Sequence, residues 1–241
     1  MIIVRNLTKT FPATGQEVLS RISFQVDQGE LVGLVGSSGT GKTTLLRCLS
    51  LKESWTSGQY IYDSKDITQI GLLEKWKQQR HWAYLEEKPA LNRNQSAYKN
   101  VLPSYVPYWR AMLGLVSTDE RVTVMDYLER VGLLDQALEK AEKLSGGEQQ
   151  RVAVAKALLR GAKVIFADEP VSGLDPEAAE NVMKDLKHIC VKEKVTIICI
   201  MHQLELAEKY ASRIWGLNEG RMVVDIAGRR LTQREKNLIF S

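Results

Sequence analysis

The stretch Gly36-Ser37-Ser38-Gly39-Thr40-Gly41-Lys42-Thr43-Thr44 constrains this chain more than any other. Before it, Glu30-Leu31-Val32-Gly33-Leu34-Val35 has the short, continuous apolar character of a buried strand. After it, Leu45-Leu46-Arg47-Cys48-Leu49 reads as a helix. A glycine-rich turn between a strand and a helix is the setting in which this pattern holds phosphate. Glycines let backbone N–H groups turn inward and approach phosphate oxygens closely. A helix starting near Lys42 adds the positive end of its dipole. In such a loop the lysine, here Lys42, reaches the β- and γ-phosphates of a nucleotide, and the Thr43 hydroxyl is placed to ligand Mg²⁺. A chance Gly/Ser turn before Lys-Thr would not bring the flanking strand and helix with it.

The bulk properties set wide limits. A chain of 241 residues can be one large α/β domain or a domain with a small insert. An apolar fraction of 44% permits a real core. The net charge of +4 suits a protein that handles nucleotides or works near an anionic membrane face, and does not point to nucleic acid. Three cysteines, Cys48, Cys190 and Cys199, are widely spaced with no CxxC, so neither a disulfide framework nor a zinc site is expected. They read as small core residues in a reducing compartment. No signal peptide is visible at Met1-Ile2-Ile3-Val4-Arg5-Asn6, and no run of about 18 apolar residues occurs. The expectation is a soluble, cytoplasmic chain.

Along the chain, Ile2 to Val4 reads as a strand, with Leu7 to Pro12 leading into a loop. Val18 to Val26 alternates like an antiparallel strand, and Gly58 to Ile67 reads as a strand and turn. Leu72 to Gln79 reads as a short helix and His81 to Leu85 as the next strand. Between about Glu86 and Leu144, strand signals vanish and Pro89, Pro103 and Pro107 punctuate helical patches. Residues 86–144 are therefore expected to be a helical insert within a single domain spanning 1–241. From Ser145, α/β character returns: a helix over Gln149 to Leu159, a strand over Val164 to Ala167 and a helix over Pro176 to Ile189. A continuous β-branched strand over Val195 to Ile200 and a helix over Gln203 to Ala211 follow. Arg213 to Leu217 and Arg221 to Val224 flank Asn218-Glu219-Gly220 as a hairpin. A polar helix closes the chain, with Leu231, Leu238 and Ile239 expected on one side.

Two further motifs carry chemistry. Val164-Ile165-Phe166-Ala167-Asp168-Glu169 is an apolar strand ending in carboxylates, downstream of a phosphate loop. In that arrangement Asp168 holds Mg²⁺ through water, and Glu169 faces the attacking water as general base. Leu144-Ser145-Gly146-Gly147-Glu148-Gln149-Gln150-Arg151 places Ser145 at a helix N-cap, with Glu148 at capping-box spacing. The plain reading is a well-capped helix. Two glycines at a helix start are costly, however, unless something approaches closely, and a phosphate would suit.

Together these residues resemble the motifs of ABC-type ATPases, in that family's order and over almost the whole chain. Ser145-Gly146-Gly147-Glu148 resembles the signature, Val171-Ser172-Gly173-Leu174-Asp175 the D-loop, and His202 the switch histidine. Phe11 resembles the aromatic that stacks on adenine, although packing onto the core would also explain it. The resemblance implies an α/β fold: a P-loop ATPase core with a mixed central sheet, an antiparallel β edge and an α-helical insert. It implies two copies paired head to tail, with ATP between the P-loop of one and the signature of the other. Ser145 and Gly147 would then complete the partner's site, Asp175 would lie near it, Glu169 would polarise water, and His202 would contact the γ-phosphate. His81 and His188 have no such context.

One departure stands out. Where the family carries a Q-loop glutamine, this chain has Leu85-Glu86-Glu87-Lys88-Pro89, with Glu87 at the glutamine's place. A glutamate can still offer Mg²⁺ a carboxylate oxygen, but cannot donate the amide hydrogen bond. Glu86-Glu87 also reads as a solvated loop pair. The stretch Met201 to Ala207, then Tyr210 to Leu217 and Gly220-Arg221, resembles phosphonate-type import ATPases, where His-Gln replaces His-Asp. Asn100-Val101-Leu102 and Trp109-Arg110 resemble that subgroup too. The implied function is the ATPase subunit of a phosphonate- or phosphite-type importer, peripheral on the inner membrane face. Its implied partners are a transmembrane permease and, indirectly, a solute-binding protein. The permease would dock near Glu87 to Leu91, with Tyr105 and Tyr108 as contacts if they are exposed rather than in the core. An importer of another small solute, or an ATP-dependent dimerisation switch with a regulatory role, is the alternative.

Overall fold

The computed structural model describes residues 1–240. Among these, the chain forms two sheets. The smaller is antiparallel: β1 (Ile2–Phe11), β2 (Gln16–Val26), β4 (Ser57–Tyr62) and the two-residue β5 (Lys65–Asp66), in the order β2-β1-β4-β5. The larger has the order β10-β9-β3-β8-β7-β6. Its strands are β3 (Leu31–Val35), β6 (Trp82–Leu85), β7 (Val164–Ala167), β8 (Thr196–Ile200), β9 (Arg213–Asn218) and β10 (Arg221–Ala227). Neighbours from β6 to β9 are parallel, and β9 and β10 form an antiparallel hairpin, so this sheet is mixed.

β3, β7 and β8 are buried along their whole length, as continuous apolar runs covered on both faces must be. Helix α1 (Lys42–Leu49) buries Leu45, Leu46 and Leu49 in one cluster with Leu7 and Leu19 of the small sheet and Val32 and Phe166 of the large one. The P-loop helix is therefore gripped by both sheets. On the opposite face lie α6 (Gly146–Leu159), α7 (Pro176–Glu193) and α8 (Leu204–Tyr210).

Residues 86–144 hold α3 (Ala97–Val101), α4 (Tyr108–Met112), α5 (Thr118–Arg130) and two 3-10 turns, following α2 (Leu72–Gln79) and β6. Ala97, Val101 and Leu128 from this segment share a cluster with Val152 and Ile165. α9 (Gln233–Phe240) ends the chain. No described helix is long and apolar enough to cross a membrane.

Several expectations need correction. β1 runs on through the stretch expected to be loop, because register shifts after Val4, Leu7 and Lys9 let it bend and stay paired. α6 begins at Gly146 rather than Gln149, since its cap lies at Ser145. On α9, Ile239 is buried but Leu238 is 45% exposed, because adjacent helical positions point about 100° apart. Tyr105 and Tyr108 lie outside the core, 50% and 65% exposed. The cysteine expectation holds: all three are buried and unpaired.

Candidate functional site

The carboxyl ends of β3, β8, β7 and β6 stand side by side, and each carries one of the motifs. This is where open α/β sheets bind ligands. At the end of β3, the loop is shaped by contacts that a side chain would break. A Cβ on Gly36 would lie 2.2 Å from the Leu217 carbonyl oxygen of β9. One on Gly41, at φ +100°, would lie 3.0 Å from the Val18 carbonyl oxygen. The Thr40 hydroxyl donates to the Ser37 carbonyl at 3.0 Å, which closes the turn. Ser38 and Gly39 are exposed at its tip, and Thr44 is half-buried on α1.

Lys42 is 6% exposed, and its Nζ donates to the carbonyls of Gly36 and Ser37 at 2.9 and 2.8 Å. Burial pushes its pKa below the usual lysine range, against the opposing pull of Glu169 and Asp168. The ammonium thus lies across the loop, facing both carboxylates at the end of β7.

Asp168 is held at both oxygens. Its Oδ1 accepts from the Thr43 hydroxyl at 3.3 Å, which joins the two expected metal-binding residues. Its Oδ2 accepts from the Tyr84 hydroxyl at 2.6 Å. Burial, and then Asp168, push the Tyr84 phenol pKa well up. Tyr84 was not legible as a site residue from the sequence. The one usable signal is its period-two spacing from Trp82 in β6, which places both on one face.

Glu169 has φ +51°, a left-handed conformation uncommon for a residue with a side chain. Its Oε1 lies 2.6 Å from Nε2 of His202. The sheet brings them together: Ala167 pairs with Cys199 across β7 and β8, and each strand then runs into its motif.

At α6, Ser145 Oγ accepts from the Glu148 N–H at 3.3 Å, and the Glu148 carboxylate accepts from the Ser145 N–H at 2.7 Å. The capping box is therefore real. The glycines have an internal reason as well. A Cβ on Gly146 would lie 2.6 Å from Leu174 Cδ2, and one on Gly147 would lie 3.3 Å from Val182 Cγ2. The close neighbour that the sequence demanded is thus supplied by this chain itself, without excluding a phosphate at the exposed Ser145 edge. Asp175 caps α7, accepting from the Ala178 N–H at 2.9 Å. Among the described residues, no hydrogen bond or ion pair ties Ser145, Gly146, Gly147, Glu148 or Asp175 to the P-loop.

Beyond β6, the loop is held by its backbone. Gln150, buried on α6, donates to the carbonyls of Glu86 and Glu87 at 3.1 and 2.8 Å. Sequence reading missed this residue too. The Glu87 side chain is exposed, and no hydrogen bond or ion pair among the described residues joins its carboxylate to Thr43 or Asp168. Glu86 pairs with Lys52 at 3.4 Å. A groove of about 380 Å³ opens beside this loop, lined by Lys52, Tyr84, Glu86, Pro89 and Lys156 among others. Phe11 is half-buried at the end of β1, opposite Gln16, with the Lys9 ammonium 4.8 Å from its ring centroid.

The donor set fits a magnesium nucleotide: a glycine cradle, a lysine, and a hydroxyl beside a carboxylate. Residues 19–172 match the family model described as ABC transporter. The chain is 37% identical to the phosphonates import ATP-binding protein PhnC of Lactococcus lactis subsp. cremoris over 236 residues, covering 97% of this chain and 96% of that protein. It is 37% identical to PhnC 1 of Trichodesmium erythraeum over 244 residues, covering 100% and 95%. Among solved structures, it superposes on a dimeric, post-hydrolysis ATP-binding cassette bound to ADP and Pi with a TM-score of 0.78, at 27% identity, covering 96% of this chain and 100% of that one. It also superposes on cbiO1 of Clostridium perfringens, part of an ABC transporter complex, with a TM-score of 0.83 at 26% identity, covering 93% and 87%.

Proposed function

The chain belongs to the ABC transporter family as an ATP-hydrolysing cassette, and from that premise we propose that it drives import of phosphonate or a related reduced phosphorus anion. Its relatives carry the phosphonate name over nearly their full length, which supports the cargo class. The partners in this reading are a second copy of the chain, a transmembrane permease seated at the groove beside Glu86 and Glu87, and a solute-binding protein. The working place is the inner face of the membrane.

One observation carries the catalytic reading: the Glu169–His202 pair stands at the strand ends beside Lys42, Thr43 and Asp168. Lys42, released from the loop carbonyls, binds the β- and γ-phosphates. Thr43 and Asp168 would hold Mg²⁺, which neutralises phosphate charge when bound. Glu169, whose Oε1 lies 2.6 Å from His202 Nε2, accepts a proton from the attacking water. His202 orients that carboxylate and meets the γ-phosphate. Phe11 stacks on the adenine. Ser145 and Gly147 present a hydroxyl and an N–H at the α6 dipole end to the partner's nucleotide, which stabilises charge as it develops.

The test is growth on phosphonate or phosphite as sole phosphorus source, with and without this chain. Loss of growth without it supports the cargo class. Equal growth removes the phosphorus assignment and leaves the ATPase intact.

A further inference from the structure

Tyr84 touches the site at one end and the groove along its ring. Its hydroxyl donates to Asp168 Oδ2 at 2.6 Å, while Thr43 holds Oδ1 at 3.3 Å. Lys52 Nζ stands 3.8 Å from the ring centroid and 3.4 Å from Glu86 Oε1. Lys52, Tyr84 and Glu86 all line the groove. A neutral phenol donates one hydrogen bond and adds no charge, so it fixes the carboxylate's rotamer without cancelling its attraction for a cation. The Lys52 ammonium is attracted to the ring face, so a shift of Lys52 bears on the ring.

We propose that Tyr84 is a positioning residue for the metal-holding carboxylate of Asp168, and that Lys52, held by Glu86 over the Tyr84 ring, steadies that ring from the groove side. The inference rests on the reading of Thr43 and Asp168 as the Mg²⁺ pair. It assigns to β6 a side-chain link to the metal site that does not pass through Glu87, whose carboxylate is exposed.

The test is a Mg²⁺ titration of the intact protein, read by fluorescence of an N-methylanthraniloyl ATP probe and by ATPase rate. Tyr84→Phe removes only the hydroxyl. It should raise the half-saturating Mg²⁺ on the order of tenfold, the scale of one charge-assisted hydrogen bond. Probe binding in EDTA should hold, and the melting temperature should fall by only a few degrees, the scale of one lost hydrogen bond. Lys52→Met, at a side chain 42% exposed, should shift the Mg²⁺ midpoint the same way by about twofold. That second shift should vanish in the Tyr84→Phe background. A wild-type Mg²⁺ midpoint in Tyr84→Phe, with the dependence lost in Asp168→Asn, overturns the proposal and leaves the metal reading standing. A midpoint unchanged in Asp168→Asn overturns both. A Lys52→Met shift that persists undiminished without the hydroxyl overturns the link to the groove.

Discussion

Nε2 of His202 and Oε1 of Glu169 lie 2.6 Å apart, although 33 positions separate them in sequence (202 − 169). Parallel pairing of β7 and β8 brings them together at the carboxyl edge of the sheet. The contact holds the carboxylate that the proposed chemistry needs as a base.

Glu169→Gln keeps the shape of the side chain and removes the base. The turnover rate is expected to fall by about 10²–10⁴, with ATP affinity retained. His202→Ala frees the carboxylate, and a loss of about a hundredfold in rate is expected. Steady-state ATPase assays beside equilibrium nucleotide binding check both. An unchanged rate in Glu169→Gln would remove it from the mechanism.

Two of the three P-loop glycines, Gly36 and Gly39, should respond differently. Gly36→Ala drives a methyl against the Leu217 carbonyl oxygen, 2.2 Å away, and backbone there cannot step aside. A cost of about 3 kcal/mol is expected, or roughly 6–12 °C in melting temperature. Gly39 has φ +80° and open space around its missing Cβ, so Gly39→Ala should cost only about 1–2 kcal/mol. Thermal melts of the two variants side by side check the order.

The signature should separate stability from activity. Ser145→Ala removes a cap whose Oγ accepts from the Glu148 N–H at 3.3 Å, a loss of about 1 kcal/mol. Gly146→Ala meets only Leu174 Cδ2, the movable end of a side chain, and it gains helix propensity. Its melting temperature should stay within about 3 °C of wild type. If the exposed edge serves a partner's nucleotide, both variants lose ATPase rate out of proportion to stability.

Nucleotide affinity should depend on pH through Lys42. Burial lowers its pKa in the free protein, and a bound phosphate would raise it again. The bound state then holds more protons between those two values. Affinity is fully present below the lowered pKa and is lost as pH rises through it, beginning below the usual 10.5. Calorimetry in two buffers of different ionisation enthalpy should register proton uptake on binding at alkaline pH. The non-titrating Lys42→Arg should show none.

Local motifs were legible in the sequence because their logic is local. A strand, a glycine turn and a helix in succession define the P-loop around Lys42. The capping box is written in Ser145 and Glu148, three positions apart. The two motifs already pair Asp168 with Thr43, and the side chains meet at 3.3 Å. Tyr84 was not legible, since its bond to Asp168 depends on which strand lies beside β7 and in what register. Gln150 was hidden for the same reason: a glutamine on a helix does not announce that it clamps the backbone of Glu86 and Glu87. Gly146 was legible as a close-packing point, but its near neighbour proved to be Leu174.

The central claim is that one nucleotide site is built from two copies of the chain, and complementation tests it most directly. Lys42→Ala spoils the P-loop and Ser145→Arg spoils the signature edge, so each variant alone should be inactive. Mixed with ATP, they form some dimers in which an intact P-loop meets an intact signature, and ATPase activity should return well above either alone. A mixture as inactive as its components, with both variants folded and mixed dimers present, would contradict the shared site.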